Sequence, residues 1–212
     1  PLLVRLREEL KKAEDDQSVK ALIIRINSTG GTVTASDIMF KEIDLFKKKA
    51  KIPVFAVMMD VAASGGYYVA LAADTIVAHP TSVTGSIGVI MLTLNAEGLL
   101  QKIGVATSAF KSGERKDMGS PFRAPTEEER KIFQSLIDGL YEQFLSRLVE
   151  SRKLPLDTAR TIADGRVYTA QQALGLKLID QIGYMDDVLK LARQKIGVDE
   201  ARVVVYHRPA DY

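Results

Sequence analysis

Residues 62–68 read Ala-Ala-Ser-Gly-Gly-Tyr-Tyr and follow directly on the apolar run Ile52 to Met59. A serine leaving a buried strand into a small-residue turn that opens a helix is placed where a hydrolase puts a nucleophile. Gly65 and Gly66 would let a substrate carbonyl approach backbone N–H groups without meeting a Cβ. The plain alternative is that Ser64 only caps the helix, a position serine favours whatever the function. A second glycine pair, Gly30-Gly31, ends the preceding apolar run. In a parallel sheet both turns emerge at the same edge, where open α/β sheets bind ligands. Two N–H groups from separate strand ends make an oxyanion hole.

Serine is a weak nucleophile unless a base takes its proton. The chain has two histidines, His79 and His207, and no cysteine. His79 stands at a strand exit before Pro80, with Asp60 or Asp74 available to orient it, but its strand order puts it at the wrong end of the sheet. His207 lies close to the C-terminus. The remaining candidates are lysines of the aperiodic segment Lys111 to Pro125, where an amine desolvated in an apolar groove loses its proton more easily. Lys116 ranks only slightly above Lys111 on this ground.

The elements that must position these groups alternate. Leu2 to Ala13 has helical spacing, Ala21 to Ile26 reads as a buried strand ending in the first glycine loop, and 34–49 is again helical. Ile52 to Met59 is the next strand, 64–73 a short helix, and Thr75 to Ala78 a further strand. Such alternation with near-continuous apolar strands points to an α/β fold, a parallel sheet covered by helices. Thr84 to Ile90 is a glycine-punctuated turn into an apolar run, Ala96 to Lys102 a helix and Val105 to Phe110 a strand. Thr126 and Glu129 form a capping box before a wide apolar stripe from Ile132 to Val149. Shorter helices fill 155–192, and Arg202 to Tyr206 is an edge strand. The whole of 1–212 reads as one catalytic domain, with 126–192 a mainly helical region for packing and oligomerisation.

Twenty-nine Lys+Arg against 27 Asp+Glu, 46% hydrophobic residues and no aromatic-rich basic stripe argue against a nucleic-acid partner. Absence of cysteine excludes disulfides, a thiolate nucleophile and thiolate metal sites. No run of about 18 apolar residues occurs, so these residues by themselves are expected to be soluble. Pro1 stands where a chain would begin with Met, leaving room for an upstream anchor.

Three segments, Ala62 to Tyr68, Thr84 to Val89 and Lys111 to Asp117, together with Asp164-Gly165-Arg166-Val167-Tyr168, resemble in order and spacing the signature segments of the bacterial signal peptide peptidase A family. These are membrane-anchored Ser/Lys peptidases with a crotonase/Clp-like fold. The resemblance covers about residue 17 to 190. It implies Ser64 as nucleophile, Lys116 as general base, Ser86 as the hydroxyl that holds the base amine, and the N–H groups of Gly31 and Gly65 as oxyanion donors. It implies no cofactor and no metal. It further implies that remnant signal peptides and other unfolded apolar peptides are the substrates, entering along a groove near Ile87, Val89 and Met91. Dyads would be shared between neighbouring subunits of a homo-oligomer, for example an octamer, tethered to the outer side of the bacterial cytoplasmic membrane by a segment upstream of Pro1. One departure is Thr29, where the family often has proline, which puts the rigidity of the first glycine loop in question. Two other functions compete with this one: a non-catalytic membrane-associated oligomeric scaffold, and an acyl-CoA hydratase or isomerase of the same fold, which would need acidic groups over a thioester.

Overall fold

The computed structural model describes residues 2–206. Two compact units are present, one built from residues up to Gly88 together with those from Phe144 on, the other from Val89–Gln143.

The first unit holds the sheet. Its strands are β1 (Leu22–Ser28), β2 (Val54–Ala63), β3 (Thr75–Ala78), β4 (Val83–Gly85), β5 (Val167–Thr169) and β6 (Gln181–Ile182). β1 runs parallel along one edge of β2, from Leu22↔Val54 to Ser28↔Ala62. A strand has two hydrogen-bonding edges, so β3 and β4 share the other: β3 pairs with Phe55 to Met58 and β4 with Val61 to Ala63, both parallel. β6 extends the sheet parallel to β3, whereas β5 is antiparallel to β4. The sheet is therefore mixed and mostly parallel.

Where the sheet branches, Ser82 donates its hydroxyl to the Met58 carbonyl at 3.0 Å. A register shift lies between Ile26 and Ser28, and there the Asn27 side chain accepts from Val61 N–H at 3.2 Å and donates to Asp60 at 3.1 Å. Side chains thus replace the ladder bonds that the irregularity removes.

Val54 to Met58 are all buried, because both faces of β2 are covered. On one face Phe55, Val57 and Val77 pack with Val188 and Ala192 of α8 (Met185–Ile196). α1 (Leu2–Asp15) buries Leu10 and Ala13 and joins α2 (Val33–Ala50) through Arg7–Glu42 and Lys49–Glu14 ion pairs. α3 (Gly65–Ala70) is buried throughout. α6 (Leu156–Ile162) and α7 (Ala170–Gly175) flank β5, and α7 begins with a Thr169/Gln172 capping box.

α5 (Glu127–Arg152) contributes to both units. Phe144, Leu145 and Leu148 are buried, and the Phe144 ring meets Tyr68 edge-on at 4.9 Å. Leu136 is half exposed, so the apolar stripe expected along this helix is core only toward its C-terminal end.

The second unit contains α4 (Glu97–Lys102) and the start of α5. Of residues 89–143, all of them described, only Glu129 is buried, while Ile90, Leu92, Leu94 and Phe110 are largely exposed. Residues 105–110, expected as a strand, form none: no described strand lies alongside to pair its N–H and C=O groups. The expected edge strand at 202–206 is likewise absent. Among the described residues no helix is long and apolar enough to cross a membrane.

Candidate active site

Ser64 stands between β2 and α3 with φ 51° and ψ −121°. That conformation is costly for a residue with a Cβ, of order 1–3 kcal/mol, and persists only where the surroundings over-determine it. Here they do. Ser64 N–H donates to the Gly85 carbonyl at 2.8 Å, and its own carbonyl accepts from Tyr68 N–H at 2.9 Å. The hydroxyl makes no capping hydrogen bond, which removes the plain N-cap reading. Among the described residues none holds the Ser64 Oγ.

The first glycine loop lies against this serine. A Cβ built on Gly30, whose φ is 119°, would stand 2.8 Å from Ser64 Cβ, 3.1 Å from its Oγ and 3.0 Å from Gly65 N. A Cβ on Gly65 would collide with Ser36 Oγ and come within 3.1 Å of Gly31 N. The absent Cβ atoms are therefore what allows the two loops to interlock and brings the Gly31 and Gly65 amides beside Ser64. Thr29 leaves the loop tied: Gly30 N–H donates to Ser28 Oγ at 3.1 Å.

Ser86 follows β4 and is also left-handed, at φ 50°, with its N–H on the Arg166 carbonyl at 2.7 Å. Its neighbour Gly85 supplies the carbonyl that fixes Ser64, so two strained serines are one backbone hydrogen bond apart. Packing of Gly85 against Tyr168, on antiparallel β5, supports that arrangement. Ile87 is fully buried in the first unit; in the second, Val89 is half-buried and Met91 exposed.

His79 is not brought to Ser64. Its N–H bonds the Met58 carbonyl at 3.2 Å, six residues before Ser64 on β2, a separation of about 20 Å at strand rise. Its ring packs edge-on against Tyr184 at 4.5 Å. Asp60 is bonded to Asn27, and Asp74 to Val54 N–H and Lys47. His207 lies outside the described residues.

The lysines belong to the second unit, and there the structure separates them. Lys111 Nζ is taken up by Asp117 at 2.7 Å and by the Glu114 carbonyl at 2.9 Å. Arg115 pairs with Glu128, and Arg123 with Asp117 and Glu129. Lys116 is exposed, in a turn whose N–H bonds Gly113 O at 3.1 Å, and no described residue pairs with its ammonium. Of the four basic groups in this segment, it is the one that no described residue pairs with.

Sequence reasoning missed the support of α3. Tyr68 donates its hydroxyl to Asp37 at 2.7 Å, with Arg147 nearby, 4.8 Å above the Phe40 ring. Burial, and then the Asp37 hydrogen bond, push the Tyr68 phenol up to about 12, so it stays a neutral donor. Asp37 lies 31 residues away, and no local pattern announces the pair.

The chain resembles known proteins over most of its length. A ClpP1 variant from Listeria monocytogenes superposes with TM-score 0.59 over 89% of this chain and 87% of its own, at 18% identity, a likeness of fold. A candidate signal peptide peptidase SppA of Enterococcus faecium is 39% identical over 198 residues, covering 93% of this chain and 57% of that protein. The chloroplastic serine protease SPPA of Arabidopsis thaliana is 37% identical over 195 residues, 92% of this chain and 28% of its own length. Protease 4 of Haemophilus influenzae is 35% identical over 190 residues, 89% and 30%. This chain thus spans little more than half of the first of these relatives and under a third of the others. The profile of Peptidase family S49 matches residues 46–199, and the chain belongs to that family.

Proposed function

We propose that this chain is the catalytic domain of a serine peptidase in which Ser64 attacks a peptide carbonyl and Lys116 is the general base. The observation that carries this reading is the strained Ser64 elbow, with its hydroxyl unused by the fold and the glycine amides of both loops beside it. Strain at a serine that caps nothing has no structural benefit, whereas it presents Oγ for attack. As Ser64 Oγ bonds to the carbonyl carbon, its proton passes to neutral Lys116. The N–H groups of Gly31 and Gly65 receive the charge that develops on the carbonyl oxygen. Protonated Lys116 returns the proton to the leaving amine. Water, deprotonated by the same lysine, then attacks the acyl carbon, and the lysine passes that proton to Ser64 Oγ as the ester bond breaks. Ser86 orients the amine. No cofactor enters.

The substrates in this reading are remnant signal peptides and other unfolded apolar peptides, received along a groove near Ile87, Val89 and Met91. The fold joins the crotonase/Clp group as one peptidase domain, with 126–192 serving packing and assembly. Exposed Lys116 and the nearly coreless second unit favour a homo-oligomer in which a neighbouring subunit desolvates the lysine. An upstream segment tethers the assembly to the outer face of the bacterial cytoplasmic membrane.

Labelling by a fluorophosphonate probe tests the reading. The parent protein is expected to be labelled at Ser64, whereas Ser64→Ala and Lys116→Ala are each inactive on an apolar peptide. Mixed assemblies of the two variants should recover turnover if dyads cross subunits. A parent that is never labelled would leave the scaffold reading standing.

A further inference from the structure

We infer that Arg123, clamped between Asp117 and Glu129, is the positioning residue that holds the Lys116 turn in its working geometry. The inference rests on Lys116 being the base.

A lysine reaches its partner on four rotatable bonds, so the place of its amine depends on how firmly its backbone is held. Productive geometry tolerates about 0.5 Å of error. Apolar packing does not hold this turn, since no apolar side chain of residues 89–143 is buried. A polar clamp stands in its place. Arg123 Nε and Nη2 donate to Asp117 at 2.9 and 2.8 Å, a two-pronged pairing with the residue next to Lys116. The opposite side of the same guanidinium donates through Nη1 to Glu129 at 2.8 Å and to the Ala124 carbonyl at 3.1 Å.

Glu129 is itself anchored. It accepts from Thr126 N–H at 2.9 Å, and its own N–H donates to Thr126 Oγ1 at 3.2 Å, closing the capping box at the start of α5. The clamp therefore bolts the turn to the end of a 26-residue helix. From the other side Lys111 reaches Asp117 and the Glu114 carbonyl, closing the turn around residue 116. Two cations meet two carboxylates in this cluster, so the turn is fixed while Lys116 has no counter-ion among the described residues. A planar fork with donors on both sides suits the role in a way an ammonium does not.

The test uses the full-length assembled protein and a fluorogenic apolar peptide, with Lys116→Ala measured alongside. Arg123→Ala is expected to lower kcat by about a hundredfold, the scale of a 1 Å misplacement, with KM little changed. Methylguanidine at millimolar concentration should restore part of kcat by occupying the space between Asp117 and Glu129, a rescue that a general loss of folding would not give. Arg123→Lys should recover far less than the parent rate. If Arg123→Ala does not fold or assemble, Asp117→Asn decides, with a kcat loss of about tenfold or more expected at unchanged assembly size. Parental kcat in the folded variant, beside an inactive Lys116→Ala, overturns this inference alone. An active Lys116→Ala overturns the proposed dyad and this inference with it.

Discussion

Replacing Ser64 by glycine and by alanine separates what the serine does for the fold from what it does for chemistry. At φ 51° and ψ −121° a residue with a Cβ is strained by about 1–3 kcal/mol, and the hydroxyl returns nothing through capping. Ser64→Ala keeps the Cβ and the strain and loses no hydrogen bond, so its stability should stay within about 0.5 kcal/mol of the parent. Ser64→Gly releases the strain but adds about 0.5–1 kcal/mol of unfolded-chain entropy. The net expectation is a glycine variant about 1 kcal/mol more stable than the alanine variant. For a domain of this size that is a rise in Tm of roughly 2–4 °C. Denaturant titration with unchanged slope, together with calorimetry, measures the difference; peptide turnover should be lost in both variants by about three orders of magnitude. An alanine variant destabilised by well over 1 kcal/mol, or a glycine variant less stable than the alanine one, would refute a strained serine that the fold does not use.

Lys116→Arg keeps the charge but cannot release a proton near neutrality, so peptide hydrolysis should fall to the level of Lys116→Ala; an active arginine variant would dismiss the base. The Glu129 carboxyl is held down at about 2, from an ordinary 4.5, first by Arg123 and then by the Thr126 N–H. Because its folded value is depressed, its contribution is complete above pH 4.5 and is lost as pH falls toward 2. Limited proteolysis of 111–125 should accordingly speed up across that window in the parent, while Glu129→Gln is cut faster already at neutral pH. Leu148 is fully buried on α5, so Leu148→Ala should cost about 2–5 kcal/mol in a denaturant titration. Leu136→Ala, at a half-exposed position of the same helix, should cost far less in an unassembled chain.

The sequence by itself determined the features that are local. The apolar run into Ala-Ala-Ser-Gly-Gly predicts a strand, a turn and a helix, and β2, Ser64 and α3 follow in that order. Thr126 and Glu129, three residues apart, predict the capping box that both hydrogen bonds complete. Membership of the S49 family was legible in the order and spacing of Ala62 to Tyr68, Thr84 to Val89, Lys111 to Asp117 and Asp164 to Tyr168. Tertiary structure decided whatever depends on a distant partner. β5 and β6 have three and two residues, too short for a period, and exist because β4 and β3 offer free edges. Residues 105–110 carry a strand-like pattern yet find no such edge. A helix cap at Ser64 was as legible in the sequence as any other role until the structure showed its hydroxyl capping nothing, and its φ is imposed by Gly85 of another strand. Lys111 and Lys116 are alike in sequence; an aspartate folds back onto the first, and no described residue pairs with the second. Backbone pairing and charge pairing are contacts between residues far apart or turned toward each other, and a linear pattern encodes neither the edge nor the counter-ion.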